Sequence, residues 1–252
     1  SELENFDPGF LERFMLGTRI KNQEIYLDKN NLSKNGFTDH ITLAYENYNY
    51  EKIPEGFIYE DSLGEINLPL PNLLGNFQID NISTAIATTR YLHQFKIETS
   101  HIKNAITKIR SEGRLQKIIK GKLRKYVSRS NQIIIDGAHN PLAAIEVKKY
   151  LESLGSRRKI FMILGMMANK EHRDFIKIFK KNIHSMITLN IPNQENFCDK
   201  EKLAKIGKSC GIPSKTENSI ESALKNISKE NDKAIIFCTG SLYFAGEILN
   251  LN

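Results

Sequence analysis

The chain has 252 residues, 40% hydrophobic and 26% charged, which are ordinary globular values that exclude wholesale disorder and fibrous structure. That length predicts one large domain or two modest ones, and no apolar run approaches the ~20 residues needed to span a bilayer. The net charge of +7 divides unevenly: residues 1–112 carry 11 Lys+Arg against 16 Asp+Glu (−5), and residues 113–252 carry 25 against 13 (+12).

In chain order, Phe10 to Leu16 predicts a short helix and Glu24 to Leu27 a strand. Phe57 to Leu70 predicts a hairpin turning at Ser62-Leu63-Gly64, ended by Pro69 and Pro71. From Asp80, a plausible cap, Ile82, Ala85, Ile86, Thr89 and Leu92 recur at helical spacing. A second helix follows from Ser100, with Ile102, Ala105, Ile106 and Ile109 on one face. Gly113 breaks that pattern where the charge balance changes sign, and a domain boundary is expected there. Beyond it, strands and helices alternate: strand Ile133–Asp136, helix Pro141 to Leu154, strand Ile160–Leu164, helix Glu171–Asn182. Ser185–Leu189, Asp199–Lys208, Ile220–Lys229, Ala234–Cys238 and Leu242–Leu249 continue the alternation. Continuous apolar strands between amphipathic helices predict an α/β fold with a parallel sheet.

In such sheets functional groups gather at the C-terminal ends of strands, beside helix N-termini. Three junctions qualify. Asp136-Gly137-Ala138-His139-Asn140-Pro141 puts a carboxylate and an imidazole at a strand's mouth, with Asn140 able to cap and Pro141 suited to the first helical position. It is either a site or a turn in which Asp136 only caps. Cys238-Thr239-Gly240-Ser241-Leu242-Tyr243 offers hydroxyls and amides to an anion. Leu164-Gly165-Met166-Met167-Ala168-Asn169-Lys170-Glu171 is a longer loop in the same position, its methionines read as packing. Arg114, in Gly113-Arg114-Leu115-Gln116, places a guanidinium at the inferred junction, where it can reach a terminal phosphate. The basic run Arg114, Lys117, Lys120, Lys122, Arg124, Lys125 and Arg129 is compatible with a polyanion. No aromatic-interleaved motif accompanies it, and solvent-facing lysines are the plainer reading, so no nucleic-acid partner is expected. Cys198, Cys210 and Cys238 are odd in number and lack metal-type spacing, which fits reduced thiols in a cytoplasmic protein. No leader segment and no membrane partner are expected.

Together these stretches resemble the dihydrofolate synthase/folylpolyglutamate synthase family of the Mur ligase superfamily. The landmarks run in family order: Leu74-Gly75-Asn76-Phe77-Gln78-Ile79-Asp80-Asn81, Gly113-Arg114-Leu115-Gln116, Asp136-Gly137-Ala138-His139-Asn140-Pro141 and Thr239-Gly240-Ser241-Leu242-Tyr243. The match covers about residues 70–252. The resemblance implies an ATP-dependent amide ligase that activates a pterin-benzoate or folate carboxylate as an acyl phosphate, which the amino group of L-glutamate attacks. It implies a Rossmann-like C-terminal domain over residues 113–252 with a mostly parallel sheet, preceded over residues 1–112 by the end of a Mur-ligase-type ATP-binding domain. Carried over by position, Asn81, Arg114 and Asp136 contact the nucleotide, His139 and Ser241 take the incoming glutamate, and Arg114 and His139 serve the chemistry. ATP and Mg²⁺ are the implied cofactors, dihydropteroate or folate the partners, and the full-length protein is expected to be monomeric.

There are departures. The family usually has His-Gln before its asparagine where this chain has Phe77-Gln78. Its Asp-Lys-Asp loop reads Asn169-Lys170-Glu171, so no role is carried onto it. The phosphate loop that opens the family is missing; Gly207-Lys208-Ser209 lacks the first glycine, with lysine at position 202. The family's Mg²⁺ ligands precede the matched region, so no metal site is expected in this chain. The chain is therefore read as the C-terminal portion of such a ligase, with little activity alone. Two alternatives stand: another Mur-type amino-acid ligase, and a non-catalytic Rossmann-like binding module.

Overall fold

The structure, a computed structural model, describes residues 48–90, 96–155 and 157–252. The helix expected at Phe10 to Leu16, the strand at Glu24 to Leu27 and the helical position of Leu92 lie outside the described residues. The chain forms two compact units that divide between Arg110 and Ser111.

In the first unit, β1 (Tyr48–Ile53), β2 (Gly56–Asp61) and β3 (Gly64–Pro69) make an antiparallel sheet in that order. The β2–β3 turn falls at Ser62-Leu63, as the pattern predicts, while β1 is an additional strand. Strand alternation sends Phe57, Tyr59, Ile66 and Leu68 inward, the period-two burial of a sheet with one wet face. Helix α1 (Phe77–Arg90) covers that face with Ile79, Ile82 and Ile86, and α2 (Thr99–Lys108) adds Ile102 and Ile106. α1 starts three residues before Asp80, so Asp80 is not its cap but a first-turn acid that accepts a hydrogen bond from the Tyr50 hydroxyl at 2.9 Å. A buried ion pair ties helix to sheet: Arg90 Nε lies 2.8 Å from Asp61 Oδ2, and the Tyr59 hydroxyl donates to the same oxygen at 3.0 Å.

The second unit is built on a six-stranded sheet in the order β4-β5-β9-β6-β7-β8. Its strands are β4 (Gln116–Lys117), β5 (Gln132–Ile135), β6 (Ile160–Leu164), β7 (Ser185–Thr188), β8 (Ser214–Thr216) and β9 (Ile235–Thr239). All neighbours are parallel except β4, which runs against β5. Every residue of β6 and β9 is buried, as expected of strands flanked on both sides in a parallel sheet. The helices are α3 (Pro141–Ser153), α4 (His172–Ile178), α5 (Lys200–Ser209), α6 (Ile220–Glu230) and α7 (Leu242–Leu251). Asn140, Asp199, Ser219 and Ser241 cap α3, α5, α6 and α7 with side-chain oxygens. α4 ends at Ile178, earlier than the predicted Asn182, with Phe179 closing its last turn. A 3₁₀ helix (Lys122–Tyr126) precedes β5 and is fastened by Asn252, whose carbonyl and side chain accept from Lys122 and Leu123. Arg124, in the middle of the basic run, donates to the carbonyls of Ser128, Arg129 and Asn131. Cys198, Cys210 and Cys238 are buried and unpaired. Among the described residues no helix is long and apolar enough to cross a membrane.

The strand order matters for function. Insertion of β9 between β5 and β6 makes the loops after β5, β9 and β6 neighbours at one pole of the sheet. Because β4 is antiparallel, with Gln116 opposite Ile135, its beginning rather than its end lies at that pole.

Candidate functional site

Asp136 directly follows β5 and is 1% exposed. One carboxylate oxygen accepts from the Ala138 amide at 2.7 Å, and the other from the Leu115 amide at 2.9 Å. The first bond is an Asx turn; the second holds the segment entering β4. The cap of α3 is Asn140, which accepts from Ala143 at 2.8 Å, so Asp136 is not a helix cap. Burial pushes its carboxyl up from the usual range, while Arg114 and the two amides pull it back down.

Arg114 is half-buried beside it. Burial lowers the guanidinium from its ordinary value and the Asp136 charge pushes it back, and a guanidinium stays protonated throughout the accessible pH range. The Leu115 backbone adopts φ 46° with its side chain wholly buried, a left-handed conformation that L residues rarely adopt. It turns the Leu115 amide onto Asp136.

His139 is half-buried, with Nδ1 3.0 Å from the Gly137 carbonyl. A carbonyl only accepts, so Nδ1 carries the proton and the Nε2 lone pair is left available in the neutral ring. Burial draws its pKa below the ordinary 6.5; the bond to Gly137 pulls back up, and the weaker charges of Lys170 and Arg114 add to the lowering. The ring is therefore uncharged at neutral pH.

The loops after β9 and β6 close the pole. Thr239 Oγ1 and the Gly240 amide both reach the Ala138 carbonyl, at 3.3 and 3.0 Å. Gly240 has φ +113°, and a Cβ there would fall 2.5 Å from the Gly165 carbonyl oxygen; only glycine meets both demands. At Gly137 a Cβ would come within 2.2 Å of Leu242. Ser241 is 3% exposed and caps α7 by accepting from Tyr243 at 3.1 Å, which leaves its hydroxyl proton to donate. The loop after β6 is pinned by Gly165 N to Thr239 O, Ala168 N to Asn196 O and His172 Nε2 to Met167 O.

Arg114, Asp136, His139 and Ser241 thus gather at one pole of the second unit. Asn81 lies in the first unit, half-buried on α1, its amide nitrogen donating to Gln78 at 3.1 Å. Lys170, to which the sequence assigns no role, lies in the loop after β6 and acts on His139 through its charge. The signal for it was the loop's position after a strand, but only the strand order makes that loop a neighbour of the one after β9. Among the described residues no group of three His, Cys, Asp or Glu side chains is placed to hold a metal ion.

Residues 116–251 match the family model described as dihydrofolate synthetase, C-terminal domain. The chain is 25% identical over 205 residues to the dihydrofolate synthetase of Saccharomyces cerevisiae, covering 76% of this chain and 48% of that protein. It is 28% identical over 175 residues to the dihydrofolate synthase/folylpolyglutamate synthase of Buchnera aphidicola from Acyrthosiphon pisum, covering 69% and 39%. The fold matches Escherichia coli FolC in complex with DHPP and ADP, with a TM-score of 0.66, 19% identity and coverage of 82% of this chain and 46% of that one. It also matches Mycobacterium tuberculosis folylpolyglutamate synthase complexed with ADP and AMPPCP, with a TM-score of 0.64, 19% identity and coverage of 82% and 48%. The chain spans about half the length of these relatives, or less.

Proposed function

The chain belongs to the dihydrofolate synthetase family, and from that premise we propose that it supplies the C-terminal half of an ATP-dependent ligase adding L-glutamate to dihydropteroate or folate. Residues 113–252 form its C-terminal α/β domain and residues 1–112 the end of its ATP-binding domain. The enzyme is cytoplasmic and works as a monomer. One observation carries the reading: a buried carboxylate and a half-buried imidazole follow strand β5, and a guanidinium stands just before its antiparallel neighbour β4, at the same pole of the sheet.

Each group has a task that its environment suits. Asp136 is fixed by two amides, so it presents a preorganised acceptor to the nucleotide; Asn81 is assigned to the nucleotide by its position in the family's motif. Arg114 offers a permanent charge to the phosphate groups, where charge develops during transfer. ATP supplies the phosphoryl group that activates the pteroate or folate carboxylate. His139, neutral with Nε2 as its acceptor, orients the amino group of glutamate and takes its proton as the amide forms. Ser241 donates its hydroxyl hydrogen to the same substrate. No step is assigned to a metal ion, for which the described residues offer no ligand cluster.

The test joins this chain to the ATP-binding segment of its relatives and follows radiolabelled glutamate into dihydropteroate or folate. ATP-dependent incorporation is expected, with little or none from the 252-residue chain alone. Incorporation of another amino acid but not glutamate favours a different Mur-type ligase. Failure with every acceptor and no nucleotide binding favours a non-catalytic module.

A further inference from the structure

Arg114 stands between two residues in the left-handed region of backbone space, Gly113 at φ 67° and Leu115 at φ 46°. A leucine holds that conformation only where its surroundings dictate it. Three hydrogen bonds do so here. The Gly113 carbonyl accepts from the Gly137 amide at 2.7 Å, and the Leu115 amide donates to Asp136 Oδ2 at 2.9 Å. The third closes the turn on itself: the Gly113 amide donates to Gln116 Oε1 at 2.9 Å. The first two partners belong to the Asp136 loop. The third is a side chain to which the function proposed above gives no task.

Gln116 is built to brace that turn. Its backbone opens β4 opposite Ile135, and the Ile118 amide continues the ladder to the Ile133 carbonyl at 3.0 Å. The side chain therefore starts from the sheet and reaches back to Gly113, with Arg114 inside the loop it closes. The far side of the turn is filled: a Cβ on Gly113 would stand 3.2 Å from that of Ala245, and the Leu115 side chain is wholly buried. With both flanks fixed, the Cα–Cβ bond of Arg114 has one direction. Gly113 is itself buried, so loss of the Gln116 oxygen would leave its amide without that acceptor, and a buried donor left unpaired drives the turn to rearrange.

We infer that Gln116 is a positioning residue: its side-chain oxygen locks the turn from Gly113 to Gln116 and so aims the Arg114 guanidinium at the phosphate being transferred. This rests on the reading of Arg114 given above and deepens it. A guanidinium lowers the barrier most when it is in place before charge develops, because moving it during the reaction takes back the gain. Gln116 acts through Arg114 and touches no substrate.

The test uses the ligase completed by an ATP-binding segment. Gln116→Met keeps the length of the side chain and removes the acceptor, whereas Gln116→Glu keeps an oxygen that accepts. Expected for Gln116→Met is a fall of about tenfold or more in kcat, with KM for L-glutamate within about twofold. Gln116→Glu recovers most of the loss. On an Arg114→Ala background, Gln116→Met lowers kcat by no more than about a further twofold, since nothing is left to aim. In the 252-residue chain, Gln116→Met speeds hydrogen exchange at the Gly113 amide by about tenfold or more, which checks the bond without activity. An unchanged kcat in Gln116→Met overturns the inference, as does unchanged exchange at Gly113. So does a loss that repeats in full on the Arg114→Ala background, the mark of a general defect in the fold. Those outcomes leave the proposed function standing; a wild-type ligase that makes no glutamate product overturns both.

Discussion

Among the described residues each unit buries one aspartate, and the two are satisfied in different ways. Asp61 in the first unit is paired directly with Arg90, and its oxygens also take the Tyr59 hydroxyl and the Leu63 amide. Asp136 in the second is held by two backbone amides of its own pole, with Arg114 near enough to feel its charge. A carboxylate whose partners are a side-chain cation and a tyrosine is spent on holding a helix to a sheet. One fixed by backbone amides of its own pole is held in place by local turns rather than by a side-chain partner from another element, and that arrangement suits a ligand.

The sharpest way to break this contrast is Asp61→Asn. It leaves Arg90 without its counter-charge in a site where Asp61 is 1% exposed at its side chain, and loss of one member of a buried pair costs about 3–5 kcal/mol. Chemical denaturation of the variant should show the first unit unfolding early; an unchanged midpoint would make the pair dispensable. Gly240→Ala comes next. Its positive φ and the Gly165 carbonyl 2.5 Å from the added Cβ predict a loss of roughly 2–4 kcal/mol by strain and overpacking. Asp136→Asn should cost less, about 1–2 kcal/mol, because removing a disfavoured buried charge offsets the amide left facing a donor. It should nevertheless abolish detectable nucleotide binding by calorimetry. Equal stability losses in Asp61→Asn and Asp136→Asn would erase the distinction.

The smallest effect is in pH dependence. His139 titrates below its ordinary value in the folded chain, so the unfolded chain takes up the proton first as pH falls. The stability this group contributes is fully present above about pH 6.5 and is lost as pH drops through the folded-state pKa. Denaturation midpoints at pH 7.5 and 5.5 should therefore differ more in the wild type than in His139→Gln, and equal differences would contradict the assignment.

Much of this was legible in the sequence because buried parallel strands write themselves as unbroken apolar runs. Ile160–Leu164 needs no partner to be recognised. β1 was not legible, since its Tyr48 and Tyr50 alternate with Asn49 and Glu51 and read equally well as a polar loop. β4 and β8, of two and three residues, exist only because a neighbouring strand pairs with them. The start of α1 was misplaced because an acid in the first turn and an acid at the cap look alike in sequence. At the site, Asp136, His139 and Ser241 were visible as polar residues just past apolar strands, and Arg114 by its glycine-flanked position. The influence of Lys170 on His139 was not, because it depends on β9 being inserted between β5 and β6, an order that sequence proximity does not reveal.

The central claim is that this pole handles the phosphate of an ATP-dependent glutamate ligation, and Arg114 is the residue through which it is most directly tested. In the ligase completed by an ATP-binding segment, Arg114→Ala should lower glutamate incorporation by roughly 100-fold or more, the scale for loss of a charge that stabilises a transferring phosphoryl group. Arg114→Lys should restore only a small part, since an ammonium lacks the planar fork. Turnover unchanged in Arg114→Ala would contradict the account.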